Sequence, residues 1–325
     1  MRHVPLWVAL LLGGTVTLPA ARPRAPLGLD LFRPYSEGNI PTAAKIALGR
    51  QLFNDRRLSR DGSLSCAGCH DPRRAFTDGR VVALGVDGAP GSRNVPSLIN
   101  RAWGTSFFWD GRASTLEQQA LQPILSPAEL GMAPEAVMAL ARSAQYRSDF
   151  VTAFGAEPTL SDVARALASY VRTIVAGSSP FDRYVGGERG ALGGDAIRGL
   201  GLFRGKAGCT ACHAGPTLSD ERFHNTGVAW RTGRLSDDGR ARVTGAAADR
   251  GAFKTPSLRQ VTGTAPYMHD GSFATLEQVI DYYDAGGQAN PALDTRIRPL
   301  HLSAGERRDL LAFLAALTGK VRDGF

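Results

Sequence analysis

The chain has 325 residues, 43% of them hydrophobic, a formal charge of +8 and four cysteines. That length suggests two domains, and the apolar share is enough for ordinary globular cores. The charge is dispersed, with no run of five basic residues, which argues against a nucleic-acid-binding function and leaves room for a basic face that docks an acidic redox partner.

At the start, Met1-Arg2-His3 is a short basic head, residues 4–18 are mostly apolar, and Pro19-Ala20-Ala21 is a run of small residues before Arg22. This reads as a secretory signal peptide, residues 1–21, cleaved near Ala21. A membrane anchor needs about 20 apolar residues, and this run is broken by Gly13, Gly14 and Pro19. The expected address is the periplasm, with no membrane span left after cleavage.

After a Pro/Arg-rich linker, Pro41-Thr42 opens a predicted helix whose apolar side is Ala44, Ile46, Leu48, Leu52 and Phe53. It delivers the chain to Cys66-Ala67-Gly68-Cys69-His70. Two thiols and an adjacent imidazole in that order read as a c-type haem attachment site, with the thiols adding to the porphyrin vinyl groups and the histidine as proximal iron ligand. Residues 70–100 are rich in Gly, Pro, Asp and Arg, which predicts loops around a cofactor. Helices are predicted at 134–143 and at 161–176, where Ala164, Leu167, Ala168, Val171, Ile174 and Val175 follow helical spacing.

A glycine-rich linker at 177–194 suits a domain boundary, dividing the mature chain into 22–185 and 186–325. A short helix at 195–204 leads to a second motif, Cys209-Thr210-Ala211-Cys212-His213. Further helices are expected at 275–284 and after Ser303, where Ser303 and Glu306 make a capping box. The two CxxCH motifs consume every cysteine, so no disulfide framework is possible. A zinc site would leave the histidines unexplained, and a thioredoxin-like pair would follow a strand in a βαβ pattern that is absent.

The halves are also related. Pro96-Ser97-Leu98 matches Pro256-Ser257-Leu258, and Trp109-Asp110-Gly111 with Thr115-Leu116-Glu117-Gln118 matches His269-Asp270-Gly271 with Thr275-Leu276-Glu277-Gln278, at a constant offset of 160 residues. The chain reads as a duplicated one-haem module.

Together with the two CxxCH motifs, Leu48-Gly49-Arg50-x-Leu52-Phe53, Phe76-Thr77-Asp78-Gly79-Arg80, Arg93-Asn94-x-Pro96-Ser97-Leu98, Phe108-Trp109-Asp110-Gly111-Arg112 and Ala265-Pro266-Tyr267-Met268-His269-Asp270-Gly271 resemble the bacterial di-haem cytochrome c peroxidase and MauG superfamily. The resemblance implies an all-α fold of two cytochrome c-like domains, with a peroxide-reacting N-terminal haem and a C-terminal haem that passes it electrons. Many members carry a distal histidine sixteen residues after the first haem histidine, where this chain has Val86. The first iron is therefore expected to be five-coordinate on His70 alone.

The resemblance further assigns the pocket acid to Glu117, although the glutamine that often stands ten residues earlier falls on Phe107. It assigns the sixth ligand of the second iron to Tyr283, fourteen residues after His269, with Met268, His269, His224 and Tyr282 as rivals. A phenolate there favours ferric iron and higher oxidation states, where a thioether would raise the potential. Trp103 and Trp109 are candidates to assist electron passage. A calcium ion would take the side chain of Asn94 and the carbonyls of Thr264 and Pro266, since calcium prefers oxygen ligands.

Three functions follow. The first is a peroxidase that reduces hydrogen peroxide with electrons from a small cytochrome c or copper protein. The second is a MauG-like enzyme that oxidises a protein substrate and is favoured by Val86 and Tyr283. The third is a di-haem electron carrier without turnover.

Overall fold

The computed structural model describes residues 26–29, 35 and 38–323. The expected signal peptide therefore lies outside the described residues. Among those residues no helix is long and apolar enough to cross a membrane.

Thr42 caps α1 (Ala43–Asn54) through its side-chain oxygen, and the helix buries Leu48, Leu52 and Phe53 as the periodicity requires. The short α2 (Cys66–Cys69) carries the first motif. Next come α3 (Leu116–Leu125), α4 (Pro134–Ala141), α5 (Arg147–Phe154) and α6 (Leu160–Val171). The first hydrophobic core gathers Leu48, Leu52 and Phe53 of α1, Ile124 of α3 and Leu167 and Tyr170 of α6.

The second half comprises α7 (Pro180–Val185), α8 (Gly194–Arg204), α9 (Ala241–Thr244), α10 (Leu276–Asp284) and α11 (Ala304–Ala315). Its core joins Leu200 and Phe203 of α8, Ile280 of α10 and Leu310, Phe313 and Leu314 of α11. The sequence reading places α7 at the end of the first unit, yet its Phe181 packs edge-on against Phe313 at 5.5 Å, in the second core.

Both cores are organised around one helix crossing. A Cβ at Gly49 of α1 would lie 2.0 Å from the Ala166 carbonyl of α6, and a Cβ at Gly199 of α8 would lie 1.9 Å from the Asp309 carbonyl of α11. Only glycine lets the two backbones approach that closely. The crossing thus appears once per half, as a duplicated module demands.

The expectation of a purely α-helical chain needs one correction. Among the described residues there are three antiparallel two-stranded sheets, β1 (Val175–Gly177) with β6 (Lys320–Arg322), β2 (Phe223–His224) with β5 (Phe253–Lys254), and β3 (Trp230–Arg231) with β4 (Arg234–Leu235). Strands of two or three residues carry too little alternation to be read from sequence. β1 also takes the stretch after α6 that the apolar spacing had extended as helix to 176.

The halves are joined by polar contacts. Arg93 bonds Asp110 at 2.6 Å and, across the junction, Asp237 at 2.7 Å. Arg101 pairs with Glu221 at 2.7 Å, and the Asn94 and Lys254 amides donate to the His269 and Trp109 carbonyls. All four side chains of the crossing pairs, Arg93 with Asp237 and Arg101 with Glu221, are less than 15% exposed. Pairs this buried are costly to break one partner at a time, so they fix the register of the junction.

Candidate functional site

The first motif is placed by a tight turn. Cys66 and Cys69 occupy α2, His70 closes it, and Ala75 and Phe76 adopt the left-handed conformation that curls the chain back. The Phe76 carbonyl then accepts from His70 Nδ1 at 3.0 Å. A carbonyl can only accept, so Nδ1 carries the proton and Nε2 keeps its lone pair for a metal. Burial holds this imidazole below the ordinary histidine range, which keeps it neutral. The Ser97 hydroxyl braces the turn by donating to the Ala75 carbonyl at 2.6 Å.

The second motif repeats the device. His213 Nδ1 donates to the Leu218 carbonyl at 3.0 Å, Leu218 is left-handed, and the Ser257 hydroxyl donates to the Thr217 carbonyl at 2.6 Å. The repeated Pro-Ser-Leu segments thus supply the hydroxyl that steadies the turn after each CxxCH histidine.

A continuous cavity of about 810 Å³ receives both motifs, lined by Cys66, Cys69 and His70 at one end and Cys209, Cys212 and His213 at the other. All four thiols are free, and burial pushes Cys66 up to about 12 and Cys69 and Cys209 up to about 11. Partly buried free thiols, imidazoles with Nε2 available and an apolar lining that includes Phe53, Leu98, Ile280 and Leu314 are the donor set and shell that a covalent haem requires. The residues present fit two such groups.

Glu117 is not where the resemblance put it. It sits on α3, but the cavity face of that helix is Leu116, Gln119, Ala120 and Pro123. The Glu117 carboxylate instead accepts from Arg172 at 2.6 and 3.0 Å and from Asn39 at 2.7 Å. Burial pushes its pKa up, but the Arg172 and Asn39 bonds outweigh that and hold it below the usual range.

Glu129 does line the cavity, as do Asp110 and Asp294, which are paired with Arg93 and Arg296. Burial pushes the pKa of Glu129 up, opposed by the charge of Arg112. Its spacing was the signal that sequence reasoning missed. The glutamine ten residues before Glu129 is Gln119, and both line the cavity. Val86 is 1% exposed and does not line the cavity, so no side chain enters from the position of the usual distal histidine.

At the second site, Leu276, Val279, Ile280 and Tyr283 form one face of α10 and all line the cavity. Burial raises the Tyr283 hydroxyl well above the usual tyrosine range. Tyr282 points elsewhere, donating to the Thr226 carbonyl at 2.9 Å and accepting from the Gln288 amide at 3.1 Å. His224 has both ring nitrogens engaged, Nε2 with Asp220 at 2.9 Å and Nδ1 with Asp294 at 2.8 Å. Met268 and His269 reach the cavity, with the His269 ring stacked on Phe253 at 3.6 Å.

Trp109 also lines the cavity, its indole N–H donating to the Asn94 carbonyl at 2.9 Å; Trp103 is not among the lining residues. Asn94, Thr264 and Pro266 do line it together. Asn94 Nδ2 donates to the Arg80 carbonyl at 2.7 Å, leaving Oδ1 as its acceptor, and the Thr264 hydroxyl donates to the Val261 carbonyl at 3.0 Å. Among the described residues, no backbone amide donates to the Thr264 or Pro266 carbonyl. Oxygen donors left over from both halves fit a hard cation.

A sequence profile described as Di-haem cytochrome c peroxidase matches residues 43–190. The chain is 44% identical over 287 residues to the methylamine utilization protein MauG of Methylorubrum extorquens, covering 87% of this chain and 81% of that one. It is 38% identical over 317 residues to the cytochrome-c peroxidase IdrP1 of a Pseudomonas species, covering 88% and 83%. Among solved structures, a MauG-like protein associated with microbial copper homeostasis superposes with a TM-score of 0.82 at 34% identity, covering 94% of this chain and 96% of that one.

Proposed function

Because the chain belongs to the family of di-haem cytochrome c peroxidases and MauG proteins, we propose that it is an exported, periplasmic enzyme that reduces hydrogen peroxide at a five-coordinate haem held by Cys66, Cys69 and His70. Cys209, Cys212 and His213 would hold a second haem, which would supply an electron-transfer centre for that site. Electrons come from a small cytochrome c, a copper protein or a MauG-type protein substrate. The observation that carries this reading is the shared cavity, onto which both motifs, Gln119 and Glu129 open while Val86 does not.

Bound in these motifs, the haems supply iron-centred redox chemistry. The protein's part is positioning and proton traffic. His70 and His213, fixed through Nδ1, hold Nε2 in one orientation. Reduction of peroxide to two waters consumes two electrons and two protons. Glu129 is the group that takes the proton from one peroxide oxygen and returns it to the other so that water can leave. Gln119 supplies a hydrogen bond beside it. Arg172 and Asn39 keep Glu117 ionised and engaged, which suits a structural role.

Tyr283 is the proposed sixth ligand of the second iron, since the hydroxyl of Tyr282 and the ring of His224 are already engaged. A phenolate at that position favours the MauG-like branch of the family over electron supply at high potential. Asn94, Thr264 and Pro266 would hold a calcium ion that ties the halves together.

The test is peroxide consumption by the holoprotein with a reduced cytochrome as donor. Turnover that needs both haems is expected. A protein with both haems attached that neither consumes peroxide nor changes spectrum on its addition is an electron carrier instead.

A further inference from the structure

The wall of the first haem site is thin at one place. Arg112 and Glu129 line the main cavity, and both also line an outer pocket of about 380 Å³ completed by Leu121, Gln122, Leu125 and Ser126. α3 is the partition between the two spaces, with Gln119, Ala120 and Pro123 on the inner side and Leu121, Gln122 and Leu125 on the outer. At the end of this partition the two spaces are separated by side chains alone.

Those side chains differ in how firmly they are held. The Arg112 guanidinium lies 3.4 Å from the centre of the Phe108 ring, its Nε donates to Gln122 at 3.1 Å, and its Nη1 donates to Asp110 at 3.1 Å. The Glu129 backbone is held by Val86 and Ser126, but its carboxylate has no hydrogen-bond partner among the described residues, and Arg112 is the charge that acts on it. One jamb is fixed and the other is a single side chain free to turn about its own bonds. A boundary made of side chains can admit a small polar molecule without movement of the backbone.

We propose that the gap between Arg112 and Glu129 is the port by which peroxide enters the first haem site from the outer pocket. This rests on the peroxide reading above. It adds a route, and it makes the outer-pocket residues determinants of which oxidant is admitted.

The test blocks the pocket from outside with Ser126→Trp or Leu121→Trp, neither residue facing the haem site, and follows binding of cyanide and of peroxide to the ferric holoprotein. A port is a barrier on the path and not part of the bound state. Association and dissociation of cyanide should therefore both slow by about tenfold, a barrier rise of about 1.4 kcal/mol, while its affinity stays level. Peroxide reaction should slow with it. Gln122→Ala, which opens the pocket, should speed both and covers the case in which a tryptophan variant does not fold.

Unchanged cyanide association in the blocked variants, or in Gln122→Ala where those do not fold, overturns the port. So does a loss of cyanide affinity with dissociation unaltered, which would mean a disturbed site. Gated cyanide entry in a protein inert to peroxide keeps the port and removes the peroxidase reading.

Discussion

Removing the Glu117 carboxylate separates a structural acid from a catalytic one. The Arg172 and Glu117 side chains are 7% and 16% exposed and share two hydrogen bonds of 2.6 and 3.0 Å. Taking one partner from a pair this buried strands the other, at about 3–5 kcal/mol. Glu117→Ala also takes one of the two acceptors of Asn39 Nδ2, leaving only the Arg165 carbonyl, so it belongs at the upper end. With roughly 2–4 °C per kcal/mol for a unit the size of the first half, the melting temperature of that half should fall by about 10–20 °C. Glu117→Gln keeps an acceptor and loses the charge, so about 1.5–3 kcal/mol is expected.

The acid dependence carries the sign. The folded pKa of Glu117 is held below its unfolded value near 4.5, so its contribution is complete above that pH and is lost as pH falls through the folded value. The gap between wild type and Glu117→Gln in denaturant unfolding should therefore close below pH 4.5. Peroxide cleavage by Glu117→Gln should stay within about threefold of wild type, well short of the usual worth of an acid/base group. A variant that unfolds like wild type yet cleaves peroxide a hundredfold more slowly would refute the reasoning and restore Glu117 to the pocket.

Glu129→Gln should do the opposite, leaving resting spectra and melting temperature almost unchanged while slowing peroxide cleavage by about a hundredfold; stopped-flow absorbance reads both. Tyr283→Met should raise the midpoint potential of the second haem in a redox titration, while Tyr282→Phe leaves it in place, and equal shifts in the two variants would deny Tyr283 its role as ligand. Cys209→Ala with Cys212→Ala should cut the mass of the denatured, solvent-extracted protein by one haem, with the first haem still attached. Chelation of calcium, or Asn94→Ala, should loosen the junction between the halves and speed proteolysis there; identical cleavage with and without chelator would speak against the ion.

Much of this was legible because it is local. Thr42, Ser303 and the spacing of Leu48, Leu52 and Phe53 announce their helices by rules that act within two turns. The duplication was legible too, and it reappears in three dimensions as paired bridges, Phe107 with Ala113 and Tyr267 with Phe273, at the same offset. The choice between Glu117 and Glu129 was not local. Both are carboxylates near α3, and what turns Glu117 from the cavity is Arg172, 55 residues away in sequence. A spacing rule could still have found Glu129, had it been anchored on Gln119. The short strands escaped because their pairing partners lie far along the chain, as with Val175 and Arg322.

That last pairing reaches beyond architecture. β6 closes onto β1, and Val321 packs against the core of the first half. The first half is therefore completed by a strand that pairs with one about 145 residues earlier in the chain, and its folding carries a large loop-closure cost. A chain made from its N-terminus exposes Cys66, Cys69 and His70 while this clasp is still open. The bulky cofactor can be seated before the cavity shuts. Deleting residues 320–325 should leave both haems attached and the second core intact, and lower the stability of the first half alone.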